Sequence, residues 1–206
     1  MENVNVLNCE PTIIEASNAL SARTATTLIE LVDKLGVLVD DLEGSRCIQY
    51  QIANPYNKLK NKEDFVTERL NWELASNAVL PDLFSLGESC LRHVAWNFGN
   101  SPFTEPLGHL GFWVRKHEKG MGTDACSAWE CKQTKPLIVA TSYVLLSPAF
   151  EGGETRLLDS QGGSEAIQTR SALGVTTWGG FTRYKESPVT DGTKYSLLIH
   201  YTGTLT

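Results

Sequence analysis

The residues best suited to chemistry lie on one predicted strand in the last quarter of the chain. From Lys194 to Tyr201 the sequence alternates, so side chains two residues apart share a face of the strand. One face carries Lys194, Ser196 and His200, whereas the opposite face is entirely apolar or aromatic. An ammonium, a hydroxyl and an imidazole together can line a pocket for an anion. A solvated outer face is the commoner use of such a strand, and the pattern leaves both interpretations open.

Two motifs in the second half of the chain resemble a known enzyme family. The segment Tyr143-Val-Leu-Leu-Ser-Pro-Ala-Phe-Glu-Gly-Gly-Glu-Thr155 resembles the strand-loop-strand element of 2-oxoglutarate/Fe(II) oxygenases of the prolyl 4-hydroxylase type. The later segment Ser187-Pro-Val-Thr-Asp-Gly-Thr-Lys-Tyr-Ser196 is similar to the end of the same family's barrel. The resemblance covers roughly residues 110–201 and implies a double-stranded β-helix, also called a jelly roll.

The resemblance implies a cosubstrate site but departs from the family at the iron ligands. Lys194, with Ser196 beside it, matches the pair that holds the distal carboxylate of 2-oxoglutarate. The family binds Fe(II) through two histidines and a carboxylate. The positions that match the two histidines hold Cys126 and Tyr184 here. No His-x-Asp or His-x-Glu sequence occurs in the chain. We therefore expect no metal ligands and no cofactor, and neither Fe(II) nor 2-oxoglutarate is favoured.

The mouth of such a barrel is a natural site for a small molecule. Tyr184 stands where an iron ligand is expected, and a nearby cation could make its phenol a general acid or base. His117 could share that role. Cys126 could be a nucleophile if a cation favours its thiolate, although a buried, inert thiol is the commoner case. The residues predicted to bind substrate are Lys194, Ser196, Arg115, Tyr143, Arg156, Trp129 and His200.

Three functions remain open at this point. The preferred one is a metal-independent enzyme that performs a non-redox step, such as isomerisation, cyclisation, elimination or addition, on a small carboxylate-bearing molecule. The second is a non-catalytic protein that binds a ligand or a protein partner through the same mouth. The third is a 2-oxoglutarate/Fe(II) hydroxylase with unusual ligands. The first is preferred because the polar side chains at the mouth are of catalytic types.

Composition excludes several partners. The chain has 206 residues, of which 41% are hydrophobic, and a net charge of −6, which argues against a nucleic-acid surface. No run approaches the roughly 20 apolar residues of a membrane span, and no signal peptide is visible. The five cysteines are scattered and odd in number, which is typical of reduced thiols in the cytoplasm. We expect a small-molecule partner, and the oligomeric state stays open.

The elements that must position these residues form one α+β domain, 1–206. Residues 1–100 are predicted to be mainly helical support, and residues 101–206 a jelly-roll barrel. A helix is predicted over residues 12–35, with a capping box from Thr12 to Glu15 and an end at Gly36, and two more over residues 63–98. Asp191-Gly192 is a hairpin turn signal. The predicted barrel strands are Leu110–Glu118, Leu137–Leu146, Glu154–Leu158, Ala166–Thr169, Gly174–Trp178 and Tyr195–Tyr201.

Overall fold

Antiparallel strands dominate the computed structural model, as the predicted barrel requires. It describes residues 14–16, 19–40, 45–52, 78–90, 108–127, 137–147, 149–158, 164–166, 173–179 and 182–203. Two helical stretches are present, α1 at Ala22–Leu35 and α2 at residues 78–90. The strands are β1 Ile14–Ala16, β2 Val37–Asp40, β3 Ser45–Ile52, β4 Gly108–His117, β5 Gly122–Ser127, β6 Leu137–Ser147, β7 Phe150–Gly152, β8 Thr155–Leu158, β9 Ser164–Ala166, β10 Val175–Gly179, β11 Arg183–Glu186, β12 Val189–Gly192 and β13 Lys194–Gly203.

The strands form one large antiparallel sheet that curls into a half-barrel. Its strand order is β1-β10-β6-β13-β4-β3-β5-β11-β8-β9, with β2 paired to β3, and β12 pairs with β7 separately. The last strand in sequence, β13, lies between β6 and β4 at the centre of the sheet. This arrangement confirms the predicted α+β fold, a jelly roll packed against N-terminal helices.

The two faces of the central strands bury different residues, because side chains alternate along a strand. Leu197, Ile199 and Tyr201 of β13 belong to a large apolar cluster that also contains Leu28 of α1 and Leu83 of α2. Leu198 of the same strand belongs to a second cluster, on the opposite face. The other members of that inner cluster are Trp113, Tyr143, Leu145, Leu157, Trp178 and Tyr184. The helices therefore cover one face, and the inner face encloses the polar residues discussed below.

Helix α1 is shorter than predicted at its N-terminus. It begins at Ala22, and the Ser21 hydroxyl caps it by accepting a hydrogen bond from the backbone N–H of Thr24. The predicted start at residue 12 and the Thr12–Glu15 capping box are wrong, because Glu15 lies in β1, which pairs with β10. The predicted end is confirmed: the N–H of Gly36 donates to the carbonyl of Val32. Pairing to a distant strand therefore overrode the local helical pattern.

The barrel strands β4, β6, β8, β10 and β13 were predicted within two residues at each end. Four other strands, β5, β7, β11 and β12, have no clear alternating signal and were not predicted. The predicted Asp191-Gly192 hairpin is wrong, since β12 ends there and pairs with β7 rather than with β13. Gly192 still needs its positive φ of 74°.

No helix in the described ranges is long and apolar enough to cross a membrane. The helices predicted over residues 63–77 and 91–98 and the predicted site residue Trp129 fall outside the described residues.

Candidate functional site

Register between β4 and β13 brings four predicted site residues together. Lys194 lies opposite His117, and Ser196 lies opposite Arg115. Directly opposed residues in an antiparallel pair project from the same face. All four are on the inner face, and Lys194, His117 and Ser196 are each at most 1% exposed. The polar face of β13 is therefore a buried wall of the barrel and not a solvated surface.

Lys194 uses all of its hydrogen-bond donors within the protein. Its Nζ lies 2.5 Å from Oε1 of Glu186, 2.8 Å from the carbonyl oxygen of Gly153 and 2.9 Å from Oγ1 of Thr155. An ammonium group has three N–H donors, so these partners saturate it. Gly152 and Gly153 have positive φ values of 68° and 65° and turn the chain so that Gly153 and Thr155 reach Lys194. The two motifs of the resemblance thus meet at one ammonium group.

Glu186 is the central carboxylate of the site, and the sequence interpretation missed it. Besides Lys194, its oxygens accept hydrogen bonds from Thr123 at 3.2 Å and Thr155 at 3.4 Å. Burial would raise the pKa of Glu186, but Lys194 above all, with His117 and Arg115, holds it well below its ordinary value. Glu186 is therefore ionised. The available signal was its position two residues after Tyr184, which places both side chains on one face of a strand.

Arg115 joins Tyr184 to this cluster. Its Nε donates to Oε1 of Gln49 at 3.1 Å, and its Nη1 donates to the Tyr184 phenol oxygen at 3.2 Å. Nη1 also lies 3.7 Å from Oε2 of Glu186. Burial would lower the pKa of Arg115, but Tyr184, Cys47 and Glu186 raise it above its ordinary value. A permanently charged guanidinium therefore donates to a buried phenol, which stabilises negative charge on that oxygen.

His117 is neutral, and its ring nitrogens have no hydrogen bond to any residue that the structure describes. Burial lowers the pKa of His117 to about 4. The positive charges of Lys194 and Arg115 also lower this pKa, whereas the negative charge of Glu186 raises it. Nε2 lies 3.5 Å from Oε2 of Glu186, which is too long for a well-formed hydrogen bond. Within the described ranges, both ring nitrogens and the hydroxyl of Ser196 lack a partner although they are buried. Such orphaned polar atoms indicate a polar occupant, water or ligand, at this point.

Among the described residues, the cluster has one positive charge in excess. Arg115 and Lys194 contribute two positive charges and Glu186 one negative charge, while His117 is neutral at neutral pH. Burial raises the pKa of Tyr143, and its ring lies 5.6 Å from Nζ of Lys194, so this phenol stays neutral. With the Tyr184 phenol neutral, one positive charge remains among these described residues, and the Arg115 side chain is only 11% exposed. A buried charge is costly unless it is paired, which favours an anion in the barrel.

Several predicted site residues lie elsewhere. Arg156 is on the opposite face of β8 from the buried Thr155 and Leu157, so it does not face the inner cluster. His200 is six residues from Lys194 along β13; its Nδ1 contacts Oγ1 of Thr141 at 3.0 Å and its ring packs on Trp113. It fits a structural histidine. The backbone of Cys126 lies opposite Tyr184, whereas Trp129 is outside the described residues.

The described residues do not fit the iron site that the resemblance implies. The matched positions, Cys126 and Tyr184, are register partners on β5 and β11, and the Tyr184 phenol oxygen already accepts from Arg115. No group of three His, Cys, Asp or Glu residues in the described part of the chain could hold a metal ion. The expected cosubstrate clamp, Lys194, has its three donors engaged.

Solved structures share this fold at low sequence identity. A prolyl hydroxylase from Trichoplax adhaerens, in complex with a hypoxia inducible factor oxygen degradation domain peptide fragment, has a TM-score of 0.66 at 12% identity, covering 92% of this chain and 83% of that one. The viral collagen prolyl hydroxylase from Paramecium Bursaria Chlorella virus-1, a 2OG complex, has 0.60 at 14%, covering 93% and 96%. The epimerase SnoN, in complex with Fe3+, alpha ketoglutarate and nogalamycin RO, has 0.58 at 13%, covering 93% and 79%. No protein-family model and no curated protein matches the chain.

These structures confirm the predicted resemblance at the level of the fold and correct the prediction about cofactors. The expectation of no cofactor is wrong, because the solved structures similar to this chain include a 2-oxoglutarate/Fe(II) oxygenase and complexes with 2-oxoglutarate and with iron. These neighbours point to cofactors rather than to none, although Cys126 and Tyr184, at the matched positions, are not the usual iron ligands.

Proposed function

We propose that this protein is an enzyme that binds a small carboxylate-bearing molecule inside the barrel and performs an acid–base step on it. Isomerisation, cyclisation, elimination and addition are the reaction types that such a step serves. The observation that carries the proposal is the buried cluster with one positive charge in excess and unpaired polar atoms beside it. An anionic molecule would complete both the charge and the hydrogen bonds.

Arg115 is the proposed anchor for the carboxylate. Among the described residues its Nη2 makes no hydrogen bond, so two N–H donors remain for a ligand. Ser196 is its register partner on β13, and the buried Ser196 hydroxyl has no hydrogen-bond partner in the described part of the chain. A guanidinium and a hydroxyl on one face are well matched to a carboxylate. Lys194 contributes positive charge to this arrangement but has no donor left to offer.

Tyr184 and His117 are the proposed proton-transfer groups. The Tyr184 phenol can give up its proton because Arg115 donates to its oxygen and stabilises the charge that develops there. His117 is neutral at neutral pH, so one ring nitrogen carries a lone pair that can accept a proton. Both side chains are buried in the inner face, where water would otherwise compete for the proton. Cys126 stays a candidate nucleophile, with its backbone opposite Tyr184.

The test begins with binding. A panel of small carboxylic acids is screened by thermal shift, and those that stabilise the protein are incubated with it in D2O while exchange at carbon is followed by proton NMR. Arg115→Gln should abolish the stabilisation, whereas Arg156→Gln, on the outer face of β8, should leave it unchanged. Tyr184→Phe should bind the acids but lose at least about 100-fold in exchange rate.

Three results would count against the proposal. If no acid stabilises the protein, the anion site fails. If acids bind and no exchange or product appears, the protein is a non-catalytic ligand-binding member of the fold. If Tyr184→Phe turns over as fast as the wild type, the acid–base role of Tyr184 fails.

A second candidate is a hydroxylase that uses 2-oxoglutarate and Fe(II). It is supported by the solved structures that share this fold. Protein purified without chelator and analysed for metal distinguishes the two functions. Stoichiometric iron, together with succinate formation from 2-oxoglutarate, would favour the hydroxylase; iron below about one-tenth of the protein concentration and no succinate would favour the acid–base enzyme.

A further inference from the structure

Glu186 stands in the barrel as an anion that belongs to the chain itself. Its side chain is 1% exposed, and one of its oxygens, Oε1, lies 2.5 Å from Nζ of Lys194. The other oxygen, Oε2, accepts from Thr123 and lies 3.7 Å from Nη1 of Arg115. Each carboxylate oxygen thus has at least one donor and one cation near it. An external acid bound at Lys194 would need this same set of contacts.

We propose that Glu186 is a built-in carboxylate ligand of Lys194, and that it limits the affinity of this position for external acids. The saturated ammonium group is the first support, because a new acid can bind Nζ only by displacing Glu186, Gly153 or Thr155. Glu186 is the partner that an external acid would replace, since it contributes a carboxylate, whereas Gly153 contributes a backbone carbonyl and Thr155 a hydroxyl. The inference concerns binding at Lys194 and does not depend on which reaction the protein performs.

The unpaired polar atoms next to this pair are the second support. His117 faces Lys194 across the strand pair, and Ser196 is two residues away on the same face. Both are buried without a hydrogen-bond partner among the described residues. Glu186 therefore does not satisfy the polar atoms of His117 and Ser196, although they lie on the same face as Lys194. The position therefore offers polar contacts beyond those that Glu186 uses, and a small acid that replaces Glu186 can hydrogen-bond to His117 and Ser196 as well.

The experiment replaces the resident carboxylate with one from solution. Glu186→Ala removes the side chain and leaves Lys194 and Thr123 each with a free donor, so formate and acetate should fill the space. We expect a saturable rise in the unfolding midpoint with sodium formate over sodium chloride at equal ionic strength. The affinity of Glu186→Ala for formate should exceed that of the wild type at least tenfold, measured by titration with 13C-formate in NMR.

Three controls isolate the site. Glu151→Ala removes an exposed acid on β7 and should behave as the wild type. Glu186→Gln keeps the volume of the side chain filled and should show little formate dependence. The double variant Glu186→Ala with Lys194→Met lacks the cation and should lose the formate effect. Formamide, which has the size of formate without its charge, should not stabilise Glu186→Ala.

The proposal fails if folded Glu186→Ala gains no stability from formate or acetate, or if formate stabilises the wild type equally. It also fails if the formate effect survives removal of Lys194. Should Glu186→Ala be unfolded in chloride, the yield of folded protein after refolding in formate replaces the midpoint as readout. A yield that rises with formate supports the proposal, and a yield that is the same in formate, acetate and chloride overturns it.

Discussion

Glu186 and Lys194 form a buried ion pair on which the interior of the barrel depends electrostatically. Both side chains are 1% exposed, so neither charge has water as an alternative partner. Removing one member of such a pair leaves the other as an unpaired buried charge, which costs more than the pair itself contributes. The sequence resemblance identified Lys194, but its partner came from a strand that no sequence signal predicted.

Lys194→Met should therefore destabilise the protein by about 3–5 kcal/mol, because Glu186 stays charged and buried. Lys116→Met is the matched control on the opposite face of the same strand pair. Lys116 binds Asp33 and Glu118, which are 39% and 47% exposed, so its loss should cost about 1 kcal/mol or less. Urea unfolding measures both free energies. The double variant of Lys194→Met with Glu186→Gln should be more stable than Lys194→Met alone; strictly additive losses would contradict the coupling.

His117 predicts how stability depends on pH. Its pKa is lowered to about 4 from an ordinary 6.5, so the unfolded chain binds a proton at His117 more readily than the folded protein does. Stability is then fully present above pH 6.5 and is lost as pH falls toward 4, by about 3 kcal/mol in total. Glu186 adds to this loss of stability only when the pH falls below the ordinary pKa of a glutamate, because its own pKa is lowered in the folded protein.

Urea unfolding of wild type and His117→Gln at pH 7 and pH 5 checks this assignment. The wild type should lose about 2 kcal/mol between the two pH values through His117. His117→Gln should lack that part of the loss. An equal loss in both proteins would show that His117 is not the titrating group.

At the scale of elements, the turn between β7 and β8 positions the acceptors of Lys194. Gly152 has a φ of 68°, and a Cβ added there would lie 2.7 Å from the carbonyl oxygen of Pro188. Gly120 has a φ of 82° but open space around the same position. The two glycines therefore separate the cost of backbone conformation from the cost of a steric clash.

Gly120→Ala should cost about 1–2 kcal/mol, the strain of a positive φ in a residue with a Cβ. Gly152→Ala should cost about 1–3 kcal/mol more, because the backbone of the β11–β12 connection cannot move away easily. Thermal or urea unfolding of the two variants measures the difference. Equal losses would mean that the connection moves freely and that packing at this turn is loose.

Over the whole molecule, β13 is the strand that joins the two motifs and the two apolar clusters. It lies between β6 and β4, and its residues Leu197, Leu198 and Ile199 are at most 1% exposed. Strands β1 and β9 stand at the two ends of the sheet order, each with a single described neighbour. Central strands usually open only with global unfolding, whereas end strands open locally.

Hydrogen exchange followed by mass spectrometry should therefore find the slowest amides in β13 and its neighbours β4 and β6. Peptides that cover β1 and β9 should exchange faster by at least about tenfold, because local opening requires less free energy. Similar rates in β9 and β13 would contradict the central position of β13 in the stability of the fold.

The sequence by itself determined the barrel and one wall of the site. Alternation in β4 and β13 and the two glycine-rich motifs are local signals, so they could be interpreted without coordinates. They identified Lys194, Ser196, Arg115 and His117, which the structure brings together on one buried face. The short polar strands β5 and β11 form only by pairing with distant partners, so their interior positions could not be predicted.

Only the tertiary structure decided what Lys194 contacts. A sequence motif specifies a cation but not the carboxylate that neutralises it, because that partner is chosen by the register of strands far apart in the fold. Here β11 places Glu186 against Lys194 and Tyr184 against Arg115, while β8 turns Arg156 outward. The predicted anion clamp is thereby an internal ion pair, and Arg115 carries the donors that remain for a ligand.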